Sequence, residues 1–111
     1  MSFVEERCYI LHTEFGAKDY FEIYEHDARQ LQQRILGGFL GYYTTEFGEL
    51  NALVSLWKYY SIEDRQARRA QLASEPEWQA FLVKVRPMIR TMSNRLLSPA
   101  AFSEPQVLEF Q

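Results

Sequence analysis

Two strand-forming runs, residues 39–46 and 51–60, are separated by only Phe47-Gly48-Glu49-Leu50. A connection that short, with a glycine in it, joins neighbouring strands as an antiparallel hairpin. The flanks of this hairpin then limit the folds open to the chain. Upstream, Ala17, Tyr20, Phe21, Tyr24, Ala28, Leu31 and Ile35 recur at helical spacing, which predicts one amphipathic helix over 17–35. Lys18, Glu22, Glu25, Arg29 and Gln33 fall on its other side, and Gly37-Gly38 breaks it. Before that helix, residues 4–13 read as a strand carried by Tyr9, Ile10 and Leu11 and closed by Gly16. Downstream, Ser61 is an N-cap for a helix starting at Ile62, with Asp64 at the third position. Ser74 is expected to open a further helix, with Pro76 in its first turn, Glu77 completing a capping box and Trp78, Phe81, Leu82 and Val85 as its apolar stripe. Pro87 ends that helix, residues 88–97 form a last strand, and a tail begins at about residue 100.

Strand, helix, two strands, helix pair, strand is the order of a split βαβ unit. The expected class is α+β: a ferredoxin-like βαββαβ sandwich whose antiparallel sheet carries helices on one face. A chain of 111 residues is one domain's worth, so a single domain over 1–111 is expected.

Such a sheet should alternate apolar and polar residues, but the third strand is apolar on both faces. Ala52, Val54 and Leu56 lie on one, Leu53, Trp57 and Tyr59 on the other; in the second strand Leu40 and Tyr42 oppose Phe39 and Tyr43. With 47% hydrophobic and 15% aromatic residues, a chain this small has more large apolar surface than its own core can hide. The face without helices therefore calls for a second sheet, and another copy of the chain supplies it. The expectation is a dimeric α+β barrel, a homodimer or higher assembly of itself, with a semi-polar cavity between the two sheets.

Other classes are disfavoured. The net charge of −3 gives no global reason to bind nucleic acid. The single cysteine, Cys8, has no intrachain partner, Met1–Arg7 is too acidic for a signal peptide, and no apolar run approaches the roughly 20 residues of a membrane span. A soluble cytoplasmic protein is expected. Cys8 and His12 share a strand face, but four residues along a strand is about 13 Å, too far for a thiol–imidazole dyad. Cys8 reads instead as a small buried residue. The two histidines, His12 and His26, have no carboxylate at metal-binding spacing and neither is placed as a haem ligand, so no metal or cofactor is expected.

The stretches GYYTTEFGELNALVSLWKYYSIEDRQARRAQL (Gly41 to Leu72), EPEWQAFLVKVRPMI (Glu75 to Ile89) and NRLLSPAAFS (Asn94 to Ser103) resemble the signature of NIPSNAP-domain proteins. The resemblance covers nearly the whole chain and implies a ferredoxin-like fold of the dimeric barrel type. The chain departs from the family pattern at three places: Ser55 stands where a histidine is common, Ser93 where an acidic residue is, and Glu75 where an aspartate is.

The best candidates to line a cavity are Tyr42, Asn51, Ser55, Trp57 and Tyr59, joined by Arg90 and by His12 as a proton acceptor: a few hydroxyl, amide and guanidinium groups in an apolar enclosure. Arg65, Arg68 and Arg69 read either as a solvated helix face or as a clamp for an anionic group, and Arg86 and Arg90 carry the same two readings. Three function classes follow. The first is a homodimer binding a small, largely apolar ligand. The second is a protein–protein interaction module with a filled core. The third is a cofactor-independent oxygenase or isomerase acting on a small aromatic or carbonyl substrate, with Asn51, Tyr59 and Arg90 as its polar machinery.

Overall fold

The computed structural model describes residues 2–103. Strands β1 (Phe3–Leu11), β2 (Phe39–Thr44), β3 (Ala52–Tyr59) and β4 (Ile89–Leu97) form one antiparallel sheet in the order β2-β3-β1-β4. Helices α1 (Ala17–Asp27), α2 (Arg29–Leu36), α3 (Ile62–Ala73) and α4 (Pro76–Val85) cover one face, and a 3₁₀ turn, Arg86–Met88, leads α4 into β4. This is the expected ferredoxin-like sandwich. Most of the expected tail, residues 104–111, lies outside the described residues.

Period-2 alternation decides which side chains meet the helices. Glu5 pairs with Trp57, Arg7 with Ser55 and Tyr9 with Leu53. On the other side of β1, Glu5, Arg7 and Tyr9 pair with Leu96, Asn94 and Met92. These residues, with Tyr42 opposite Ser55, share the helix face. The core is built there from Leu53, Trp57 and Tyr59 against Tyr20 and Tyr24 of α1, Leu31 and Ile35 of α2, Leu72 of α3, and Trp78, Phe81 and Val85 of α4.

The helix expected over 17–35 is two helices, bent at Ala28 (φ −134°, ψ −23°). The hydrogen-bond ladder survives the bend: Ala28 N–H donates to the Tyr24 carbonyl at 2.9 Å, and its own carbonyl accepts from Gln32 at 2.8 Å. With no glycine or proline at the bend, the apolar stripe runs through it unchanged, so the sequence carries no mark of it. Ser61 caps α3 as expected, accepting the Asp64 N–H at 3.0 Å. Ser74 does not open α4. Its N–H donates to the Ala70 carbonyl and its hydroxyl donates to the Gln71 carbonyl at 2.7 Å, so it closes α3. Glu75 stands before α4 in extended backbone, the conformation that a following proline enforces.

One glycine is required by contact. At Gly38, with φ +50°, a Cβ would lie 2.1 Å from the Lys58 carbonyl oxygen, where the chain passes from α2 into β2 beside β3.

Candidate ligand cavity

Alternation along β1 puts two charged residues, Glu5 and Arg7, on the buried face. Glu5 is wholly shielded from solvent. Arg7 Nη1 (3.0 Å), Arg65 Nη2 (2.8 Å) and Asn94 Nδ2 (2.7 Å) all donate to its Oε2, and Arg65 Nε donates to Oε1 at 3.2 Å. Burial alone would raise the Glu5 carboxyl. Hydrogen bonds from Arg65 and Asn94 and the charges of Arg7 and Arg65 outweigh it and hold the group down at about 2. Arg7 also donates from Nε to the Tyr9 hydroxyl at 3.3 Å.

Beside this cluster a cavity of about 160 Å³ opens between the sheet and the helices. Its sheet side is Arg7 and Tyr9 of β1, Tyr42 of β2, Ser55 of β3, and Ile89 and Met92 of β4. The helices contribute Tyr20, Gln32, Arg69, Trp78, Leu82 and Val85, and the 3₁₀ turn contributes Arg86. Burial pushes the phenols of Tyr20 and Tyr42 well above their ordinary value, so at neutral pH both are hydroxyls, and they are hydrogen-bonded to each other. Tyr24, just behind Tyr20, is raised to about 12 by the same cause, and its hydroxyl donates to the Gln32 amide oxygen at 2.5 Å. A second, open groove on the far side of Tyr42 is lined by Phe21, Arg29, Phe39 and Tyr43.

Of the residues singled out in the sequence, Tyr42 and Ser55 line this cavity. Trp57 lies behind Ser55, its indole N–H donating to the Ser55 hydroxyl at 3.0 Å. Tyr59 is buried farther along β3, its hydroxyl beside the Arg69 guanidinium but short of a well-formed hydrogen bond. These four face their own helices, on the side of the sheet away from the face over which a second sheet was expected. The physical reason is register: β1 supplies buried polar partners, Glu5 and Arg7, opposite Trp57 and Ser55. Asn51 sits apart at the end of the hairpin, in left-handed backbone (φ 61°), and its amide donates to the His12 carbonyl at 3.4 Å. His12 is tied by its N–H to the Met88 carbonyl at 2.9 Å, and Arg90 is exposed on β4; none of these three lines the cavity. The structure therefore does not assemble Asn51, Tyr59 and Arg90 into one catalytic group.

Arg69 and Arg86, read from the sequence as solvated or as an anion clamp, both reach the wall. Arg7, Tyr9, Tyr20 and Gln32 were not singled out. Their one signal is that Arg7 and Tyr9 share the alternation that buries Leu11, so that face carries polar groups inward. Cys8 lies on the opposite, open face. Burial and the charges of Glu6 and Glu49 push its thiol up, which leaves it protonated at neutral pH. Among the described residues no three His, Cys, Asp or Glu side chains are grouped to hold a metal ion, and no helix is long and apolar enough to cross a membrane.

Similarity to known proteins runs in one direction. Among curated proteins, a NipSnap homolog from Dictyostelium discoideum is 33% identical over 60 residues, covering 54% of this chain and 27% of that protein. The chain thus matches about a quarter of that relative's length. Among solved structures, a NIPSNAP family protein from Agrobacterium tumefaciens superposes with a TM-score of 0.89 at 34% identity, covering 94% of this chain and 98% of the other. A NIPSNAP-like domain protein from Burkholderia xenovorans gives a TM-score of 0.89 at 40% identity, covering 94% and 90%. A cofactor-independent oxygenase from Streptomyces nogalater shares the fold alone, with a TM-score of 0.62 at 13% identity. The NIPSNAP family model matches residues 4–104, and the chain belongs to the NIPSNAP family.

Proposed function

We propose that this NIPSNAP chain is a homodimeric protein that binds a small, largely apolar molecule in the cavity between its helices and its sheet. The observation that carries this reading is the make-up of the wall. Trp78, Leu82, Val85, Ile89 and Met92 give apolar contact, and the polar groups of Tyr9, Tyr42, Ser55 and Gln32, with three arginines, converge among them. Apolar contacts with polar groups converging among them are what small-molecule sites are made of. Ser55 lies on this wall at the position where the family pattern often has a histidine, so ligand contacts there are expected to differ between relatives.

The homodimer rests on the open face of the sheet. Val54 and Leu56 of β3 and Cys8 and Ile10 of β1 lie there with no helix over them, and Tyr43 of β2 is 53% exposed. A second copy would cover this apolar area, and the lone thiol suits a cytoplasmic setting.

The experiment is mass spectrometry of small molecules carried through native purification, comparing wild type with Ser55→Phe, which fills the cavity. A reproducible bound species that Ser55→Phe loses, with the fold intact by circular dichroism, upholds the proposal. No bound species in either protein, or one retained equally by both, overturns it.

An enzyme without cofactor is the second reading. It is favoured by the hydrogen-bonded phenol pair of Tyr20 and Tyr42 and the Arg7 guanidinium on the cavity wall, donors of the kind that stabilise an enolate-like oxygen. The likeness to an oxygenase extends only to the fold and does not select this reading. An interaction module is the third, favoured by Phe47 and Leu50 at the hairpin tip, 93% and 71% exposed.

A further inference from the structure

Three arginines, Arg7, Arg69 and Arg86, line the cavity, and no aspartate or glutamate does. Glu5 pairs with Arg7 alone among them and leaves Arg69 and Arg86 uncompensated. Its carboxylate lies behind Arg7 and is already shared between Arg7, Arg65 and Asn94. Arg69 and Arg86 make no ion pair among the described residues, so the wall carries an excess of positive charge. Arg69 is the more telling of the two. Its Nη1 is shut off from solvent, and the guanidinium lies beside the Tyr59 hydroxyl without completing a well-formed hydrogen bond to it. Leaving a buried donor unmet is costly, and more so for a charged group. A ligand oxygen in the cavity would offer the guanidinium a charged acceptor in addition to the Tyr59 hydroxyl.

We infer that the ligand is a small organic carboxylate, anchored by Arg69 with Arg86 and Arg7 beside it, its body lying against Trp78 and Met92. The inference rests on the binding reading above and names the chemical class of the ligand. A guanidinium offers two parallel N–H donors at the spacing of a carboxylate's oxygens, so it selects this anion over a neutral amide of the same shape. Size narrows the class. A cavity of about 160 Å³ is well below the roughly 300–1,000 Å³ of sites for drug-sized ligands. It suits an acid with one ring or a short chain. Tyr9 and Tyr20 on the same wall add aromatic faces for a planar body.

The test is calorimetric titration of the purified chain with benzoate, phenylacetate and hexanoate, each against its neutral amide, and with inorganic phosphate. At least one carboxylate should bind about tenfold or more tighter than its amide, the discrimination expected of a charge-assisted hydrogen bond, and should weaken as salt rises. Arg69→Gln should lose about tenfold in affinity for the acid and leave the amide unchanged. Arg86→Gln, at an exposed position, should weaken the acid without disturbing the fold, which covers the case in which Arg69→Gln does not fold. Acids and amides binding equally well would overturn the carboxylate inference while leaving the cavity reading standing. Phosphate binding as tightly as the acids would overturn it in favour of a general anion site. No binding by any member of the panel would sink the inference, and the cavity reading would then stand or fall on the purification experiment.

Discussion

Arg65 of α3 reaches across to β1 and grips Glu5 with two donors, Nη2 to Oε2 at 2.8 Å and Nε to Oε1 at 3.2 Å. This is a bidentate pair with one member wholly shielded from solvent. It fixes α3 over the sheet beside the cavity and sets the geometry of Arg7, the third member of the cluster. Breaking a buried pair from one side leaves an uncompensated charge and typically costs about 3–5 kcal/mol. Arg65→Ala should lose somewhat less, because Arg7 and Asn94 still hold Glu5. Glu5→Ala should cost the full amount, because it strands Arg65 and Arg7 together. Urea denaturation followed by circular dichroism measures both; equal and small losses would mean that the cluster does not fix the helix.

The same carboxylate predicts a pH dependence. Its folded value is depressed to about 2, against about 4.3 in an unfolded chain. A depressed carboxylate contributes stability that is fully present above the unfolded value and is lost as pH falls through the folded one. The contribution at neutral pH is on the order of 3 kcal/mol. Thermal melts should therefore fall steeply between about pH 5 and pH 2. Glu5→Gln should flatten the profile in that window while lowering its plateau. A wild-type profile no steeper than that of Glu5→Gln would show that the group titrates normally.

Trp57 has no accessible surface, and its indole N–H bonds the Ser55 hydroxyl on the cavity wall. Truncating it to alanine should cost about 3–5 kcal/mol, a large share of a small domain's total stability. Trp57→Phe keeps most of the volume and removes the hydrogen bond, at about 1 kcal/mol. It also frees the Ser55 hydroxyl, so ligand affinity should change in Trp57→Phe while the fold is retained. An unchanged melting temperature for Trp57→Ala would contradict its place in the core.

At Gly38 two constraints coincide, a left-handed φ and a Cβ position 2.1 Å from the Lys58 carbonyl oxygen. The backbone conformation alone costs a side chain roughly 1–2 kcal/mol. The clash falls on β3 backbone, whose Lys58 N–H is bonded to the Gly38 carbonyl at 2.7 Å. Gly38→Ala should thus destabilise by more than the conformational term. Substitution at Gly16, where a Cβ meets nothing closer than 3.8 Å, should be nearly neutral. Chemical denaturation of the two variants side by side decides the point.

Much of the fold was legible because it rests on local signals: the hairpin from its short connection, the α3 start from Ser61, the helix faces from their spacing. The bend at Ala28 was not, because the hydrogen-bond ladder and the apolar stripe both pass through it. The start of α4 was misread because Ser74 has the chemistry of an N-cap, yet the proline at 76 fixes the backbone of Glu75 and leaves Ser74 to α3. The site was legible in part. Ser55 and Tyr42 emerged as polar interruptions of apolar strands, but their side of the sheet depends on register with β1. Glu5 and Arg7 were passed over because charged residues are rarely buried unless paired, and their partners Arg65 and Asn94 are 60 and 89 positions away from Glu5. Pairing at that separation is a property of the fold and leaves no local trace.

The open face of the sheet makes the last prediction. In the register of the three strands Val54 stands between Cys8 of β1 and Tyr43 of β2, in the middle of an apolar area with no helix over it. Stable protein interfaces bury about 1,200–2,000 Å² in total, which a face of this kind can supply when two sheets meet. Light scattering at micromolar concentration should give twice the chain mass of 13.2 kDa. Val54→Glu would set a carboxylate in the centre of that face, where pairing would bury it without a partner. It should shift the protein to monomer while the helix-side core, and so the circular dichroism spectrum, stays intact. Glu22→Lys, an exposed change on α1, should leave the dimer alone. A wild-type monomer at these concentrations would sink the barrel. A dimer indifferent to Val54→Glu would place the contact elsewhere, with the exposed hairpin residues Phe47 and Leu50 the next to test.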